Sequence, residues 1–244
     1  MALPPQLRPF AIGDSQAPHC LELYLDFTCP FSAKQLRGVD THLLPLVMPG
    51  GQYAGKVRVL LRPYPQPWHS TAPLLCEAAV AVARLAAPRG SGKDYDAEWT
   101  KLCNADDNAA WVFARKLMEV QESYFDGPAR NKNADQIRAE MASLVISSLG
   151  EAPRVHTGRP LLQAPEKGLP LGQAIKNLLR VEKEGNAGSA CVSDVKWCVK
   201  MGRQNGIHVT PTAVWDGLVN GSIGSSFGAD EWKEFLAKEI GNEP

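Results

Sequence analysis

Leu21-Glu-Leu-Tyr-Leu-Asp-Phe-Thr-Cys-Pro-Phe-Ser32 runs from a strand-like alternation into a helix start. Leu21, Leu23 and Leu25 alternate with Glu22, Tyr24 and Asp26, which is the period of a β-strand. After the break at Thr28–Ser32, Leu36, Val39, Leu43 and Leu44 recur at roughly helical spacing. Pro30 fits the first helical position, where a missing N–H is no loss. Cys29 therefore stands at a strand-to-helix turn, beside free backbone N–H groups and the positive end of a helix dipole. That environment favours a thiolate and marks Cys29 as the candidate nucleophile. Asp26, just before it, reads equally as an acid that tunes Cys29 and as a solvated carboxylate at a strand end.

Outward from this stretch, Pro45 and Met48-Pro49-Gly50-Gly51 predict the end of the helix. Residues 1–20 read as an irregular arm. Lys56–Pro63 predicts a second strand, so the segment forms a βαβ unit with parallel strands. Pro63–Ser70 is a stiff loop, and Ser70 or Thr71 is expected to cap a helix over 72–87. Helical spacing continues over 95–120, 133–149, 171–184 and 189–205, with Cys191, Val195, Cys198 and Val199 as the buried stripe of the last. Pro88–Gly92 and Asp126-Gly127-Pro128 are breaks, and 150–170 reads as an extended loop. Gly206–Trp215 then predicts a strand, Asp216-Gly217 a hairpin turn, and Leu218–Ile223 its partner. Asp230 is expected to cap a final helix, Glu231–Ile240.

The turn Cys29-Pro30-Phe31-Ser32, followed far along the chain by Val209-Thr210-Pro211-Thr212, resembles the active site of thioredoxin-fold proteins. It is most similar to the disulfide-oxidoreductase (DsbA) family and its relatives, the kappa-class glutathione transferases and 2-hydroxychromene-2-carboxylate isomerases. The resemblance implies an α/β, thioredoxin-like fold with a large helical insertion. Residues 1–66 and 206–244 would form the thioredoxin-like domain, and 67–205 the inserted helical subdomain. It also implies a cis bond at Thr210–Pro211, at what reads as the start of a parallel strand, with that loop facing Cys29. The oxidoreductases carry Cys-x-x-Cys at the turn; here Ser32 replaces the second cysteine and cannot resolve a mixed disulfide, although its hydroxyl is placed to hydrogen-bond the Cys29 thiolate.

The bulk properties narrow the function. Lys+Arg and Asp+Glu both number 26, so no basic excess points to nucleic acid or an anionic membrane. No stretch approaches a signal-peptide core or the ~20 apolar residues of a membrane span, which leads to a cytoplasmic expectation. The six cysteines, Cys20, Cys29, Cys76, Cys103, Cys191 and Cys198, lack Cys-x-x-Cys spacing. No metal site is expected, and all but Cys29 read as structural. Asn220-Gly221-Ser222 matches a glycosylation sequon without meaning in the cytosol.

The leading expectation is a monothiol thiol–disulfide oxidoreductase. Cys29 and Ser32 would be its catalytic residues, with Phe31, Trp68, His69, Thr210 and Pro211 contacting substrate. Its partners would be glutathione or a protein thiol or disulfide, with no tightly bound cofactor and glutathione as co-substrate. His69 reads as a base or donor near the site, or simply as a capping or exposed histidine. The alternatives are a kappa-like glutathione transferase or isomerase, and an inactive thioredoxin-fold module that binds peptides. Cysteine rather than serine at position 29 favours the first. Oligomeric state is not readable from the sequence.

Overall fold

A computed structural model describes residues 3–87, 104–150, 162, 168–181 and 185–241. The expected break at 88–92, helical residues 95–103 and 182–184, Cys103 and most of the expected loop 150–170 lie outside this set. The strands are β1 (Ala11–Ile12), β2 (His19–Leu25), β3 (Val57–Pro63), β4 (Thr212–Trp215) and β5 (Leu218–Val219). They form one sheet in the order β1-β3-β2-β4-β5. Strands β2 and β3 run parallel, with Leu21 opposite Val59. The other pairs are antiparallel. Strand β4 therefore starts an antiparallel ladder beside β2, not the parallel one expected at Pro211.

The α-helices longer than one turn are α1 (Pro30–Gly38), α2 (Ala72–Ala86), α3 (Ala109–Val120), α4 (Ala134–Leu149), α5 (Leu171–Leu179), α6 (Val192–Gln204) and α7 (Ala229–Ile240), and the expected turn at 126–128 is a single helical turn, Asp126–Ala129. Helix α1 does not stop at Pro45. A π turn, Val39–Leu43, precedes a last α-helical turn, Leu44–Val47. Proline cannot donate to the preceding turn, and the wider π turn before it accommodates that loss. Helix α2 follows Thr71, but neither expected hydroxyl caps it: Ser70 donates to Asp126 (2.6 Å) and Thr71 to the Tyr124 carbonyl (2.5 Å). Tertiary partners have taken the cap residues. Helix α3 is capped by Asn108 and α4 by the Asn133–Gln136 box. Helix α7 begins one residue before Asp230, which sits in its first turn; Glu231 accepts from the Gly228 N–H instead. Strand β5 is only two residues long, shorter than the expected Leu218–Ile223.

One contiguous apolar core joins Leu21, Leu23 and Leu25 of β2 to Cys76 and Val80 of α2, Trp111 of α3 and Trp232 of α7. The alternate residues of β2 are buried as well. Tyr24 packs with Tyr64, Ile207 and Val214, and Val199 of α6 rests against them. Glu22 on that same parity is fully buried and paired with Arg62 of β3, at 2.7 Å to Nε and 2.6 Å to Nη2. The alternation thus belongs to a strand covered on both sides, with Glu22 paired to Arg62 across β2 and β3.

Helix α6 approaches β3 closely enough that a side chain at Gly202 would overlap the Tyr64 ring. Gly202→Ala is expected to lower stability by about 1–3 kcal/mol through this overpacking. A urea unfolding midpoint indistinguishable from the parent's would contradict that contact. Among the described residues, no helix is long and apolar enough to cross a membrane, and no cluster of three or more His, Cys, Asp or Glu side chains could hold a metal ion.

Candidate active site

Strand β2 ends at Leu25, and the next four residues build the turn. The Asp26 side chain closes it: Oδ1 accepts from the Thr28 N–H (2.7 Å) and the Thr28 hydroxyl (2.8 Å). Such an Asx arrangement hydrogen-bonds the chain two residues ahead and fixes its direction. The Cys29 N–H then donates to the Asp26 carbonyl (3.1 Å), and the Ala33 N–H to the Cys29 carbonyl (3.1 Å). Cys29 is the extended residue immediately before α1, with Pro30 at the helix start.

The far end of the chain completes the site. The Thr210–Pro211 bond is cis, and the Cys29 Sγ–H donates to the Thr210 carbonyl at 3.4 Å. Two segments 181 residues apart meet because β4, which starts just after Pro211, pairs directly with β2. Ser32, one helical turn after Cys29, is 0% exposed and its Oγ accepts from the Asp26 N–H at 3.2 Å. In this bond the Ser32 oxygen accepts, so it braces the turn from inside.

Asp26 is not a solvated carboxylate. It is 0% exposed, and its Oδ2 meets two further groups, the Gln66 N–H (2.8 Å) and His69 Nδ1 (2.9 Å). A buried carboxylate needs such donors to offset its lost hydration. His69 sits at the start of the loop's return into α2, a quarter exposed, so its contact with Asp26 ties the loop after β3 to the turn before Cys29. A carboxylate only accepts, which places the ring proton on Nδ1 and leaves Nε2 as an acceptor in the neutral imidazole. Sequence reading weighed Asp26 and His69 separately; their facing positions follow from the β2–β3 pairing, a signal that lies in the fold and not in residue spacing.

Beside this dyad lies a groove of about 380 Å³. Its walls include Thr28, Pro30, His69, Tyr124, Phe125 and Asp126. Burial pushes the Tyr124 phenol up to about 12, with Glu140 adding to the shift, so it remains a neutral donor. Tyr124, Phe125 and Asp126 carried no sequence signal beyond a turn at 126–128. Around the cysteine three large apolar side chains face solvent: Phe31 (63% exposed), Trp68 (58%) and Val209 (57%). Trp68 thus lies at the surface, with its ring edge-on to His69, whereas Trp111 and Trp215 are core residues.

All five described cysteines, Cys29 included, are free and buried. Burial raises the thiols of Cys20 and Cys76, and pushes Cys191 and Cys198 up to about 12. None of these four is placed to act as a nucleophile.

No protein-family model and no curated protein sequence matches this chain. Solved structures do. A chain from Pseudomonas syringae, provisionally assigned as a protein-disulfide isomerase, aligns over 93% of this chain and 97% of its own, with 23% identity and a TM-score of 0.56. Oxidised BdbD from Bacillus subtilis aligns over 95% and 92%, with 17% identity and a TM-score of 0.54. MdbA, a thiol-disulfide oxidoreductase from Corynebacterium diphtheriae, aligns over 91% and 84%, with 17% identity and a TM-score of 0.50. The fold is therefore thioredoxin-like, of the DsbA type.

Proposed function

We propose that this protein is a monothiol thiol–disulfide exchange protein with Cys29 as its nucleophile. The observation that carries the reading is the placement of Cys29 Sγ at the start of α1, 3.4 Å from the Thr210 carbonyl, with a buried serine where a resolving thiol would stand. In the first step the Cys29 thiolate attacks a substrate disulfide R–S–S–R′. A bond forms between Cys29 and the R sulfur, and R′S⁻ leaves with the electron pair of the old S–S bond. Ser32 has no sulfur with which to expel R. A second thiol from solution must do so, forming a disulfide with R and returning Cys29.

Exposed Phe31, Trp68 and Val209 support a peptide segment as R, because apolar side chains around an extended backbone site give a protein substrate something to rest on. Glutathione fits the role of the external thiol or of a small disulfide substrate. Ser32 is fully buried, out of reach of a glutathione sulfur at the surface, which weighs against its use as a thiolate ligand in the transferase or isomerase alternative.

Incubation with oxidised glutathione followed by intact-mass measurement tests the reading. One glutathione adduct, mapped to Cys29 and removed by dithiothreitol, is the expected result. A parent protein in which Cys29 stays unmodified would overturn it, and would leave the inactive peptide-binding module as the better description.

Replacing the serine provides a second check. Ser32→Cys is expected to create a dithiol turn that closes on mild oxidation, since the Cys-x-x-Cys spacing brings two sulfurs within bridging reach. Loss of the hydroxyl leaves the Asp26 N–H with a weaker acceptor, costing about 1 kcal/mol. Free-thiol titration should fall by a pair relative to the oxidised parent; an unchanged count would contradict the geometry of the turn.

A further inference from the structure

We propose that His69 is the general base for the external thiol that releases substrate from Cys29, and that this thiol enters through the groove walled by Thr28, Pro30, Tyr124 and Phe125. The inference rests on the mixed disulfide proposed above and adds the residue and the route by which it is resolved. Small aliphatic thiols are mostly protonated at neutral pH, with pKa values of about 8.5 and above, and only the thiolate attacks a disulfide. A site without a resolving cysteine gains directly from a base placed where such a thiol arrives.

Three titratable side chains face the groove: His69, Tyr124 and Asp126. Tyr124 is held neutral by burial. Asp126 is exposed and accepts from the Ser70 hydroxyl at 2.6 Å; a carboxylate is too weak a base for an aliphatic thiol. Imidazole is the one class of the three that titrates near neutrality. In His69 the buried Asp26 carboxylate takes up Nδ1 at 2.9 Å, which leaves Nε2 to accept a proton. Thr28 and Pro30, the residues on either side of Cys29, line the same groove as His69. A thiol lodged there lies against the turn that carries the mixed disulfide. Asp26 acts through His69 and is a positioning residue.

The step balances without an added oxidant. The external thiol gives its proton to Nε2, and Asp26 stabilises the resulting imidazolium. The thiolate attacks the substrate sulfur of the Cys29–S–S–R bond. A new S–S bond forms between the external sulfur and the R sulfur, the electron pair of the broken bond stays on Cys29 as its thiolate, and His69 releases the proton to solvent.

The test uses the full chain loaded with glutathione as a disulfide on Cys29. Recovery of free Cys29 is followed by acid quench and intact mass, at neutral pH, with 2-mercaptoethanol and in parallel with thiophenol, which is largely ionised there. His69→Ala and His69→Gln are both expected to slow recovery by about ten- to a hundred-fold with 2-mercaptoethanol. With thiophenol, which needs no base, both should stay within about two-fold of the parent on the same argument. Added imidazole should restore part of the loss in His69→Ala. His69→Gln keeps a donor for Asp26, so it carries the comparison if His69→Ala does not fold. Equal slowing with both thiols, or no slowing with either, would overturn the role of His69 while leaving the exchange reading intact. Failure of the parent to load at Cys29 would remove the exchange reading and this inference with it.

Discussion

Cys29→Ala is expected to abolish covalent capture of disulfide reagents by the folded protein. The effect should be large because the alternatives are poor. Cys76, Cys191 and Cys198 lie in the core, and burial raises their thiols well above the ordinary range. Cys20 is no more buried than Cys29, 8% against 5% exposed, and it is its raised thiol that sets it apart. A raised thiol supplies little thiolate, and the three core groups also react only when the structure opens locally, so rates at these positions fall by about two orders of magnitude or more. Adduct formation with oxidised glutathione, mapped by peptide so that Cys103 is scored separately, gives the measurement. Undiminished labelling of Cys29→Ala at any of the four buried positions would show that the core does not shield them as drawn.

Breaking the Glu22–Arg62 pair should have the largest effect on stability. Both side chains are fully buried in adjacent parallel strands, and Arg62 also lies 5.5 Å over the Trp197 ring. Glu22→Ala leaves a guanidinium in the middle of the sheet without its carboxylate. The expected loss is about 3–5 kcal/mol, a large share of the roughly 5–15 kcal/mol that separates folded from unfolded domains. Replacing the pair together, by Glu22→Leu with Arg62→Met, should lose much less than the two single changes combined, because no unpaired charge remains. Urea unfolding of the single and double variants gives the comparison. A loss under about 1 kcal/mol for Glu22→Ala, a value typical of exposed pairs, would mean that water reaches the pair.

The sequence disclosed the fold chiefly through its punctuation. Alternation up to Leu25, proline just after Cys29, and strand-forming residues at 57–63 each specify local structure, and the structure follows them. Partner choice was less legible. Thr71 has a cap residue's chemistry, yet its hydroxyl serves Tyr124, a contact made across the loop. Period 2 says which residues share a face, not whether that face is covered; Tyr24 beneath α6 shows that the face of Glu22 is. Asp26 and His69 are 43 residues apart and meet only because β2 and β3 end side by side. The turn around Cys29 could be read from its residues, while the groove beside it depends on Tyr124 and Phe125, which arrive from the insertion.

The pairing of β4 with β2 has a consequence for how the protein is made. Strand β3 is complete at Pro63, but β4 begins only at Thr212, so about 150 residues must be synthesised in between. At roughly 5–20 residues per second, that takes on the order of ten to thirty seconds. Throughout that interval the nascent chain carries β2 with its second edge open, from Leu21 to Tyr24, in what will become the middle of the sheet. Finished proteins blunt their sheet edges with charge, proline or covering segments. On this edge Glu22 is the one charge among Leu21, Leu23 and Tyr24, and no strand covers it until residues 212–215 leave the ribosome. A chain halted before residue 212 would therefore expose a template for pairing with its neighbours on the polysome, and chaperone demand during synthesis should track the length of the insertion more than the stability of the finished fold.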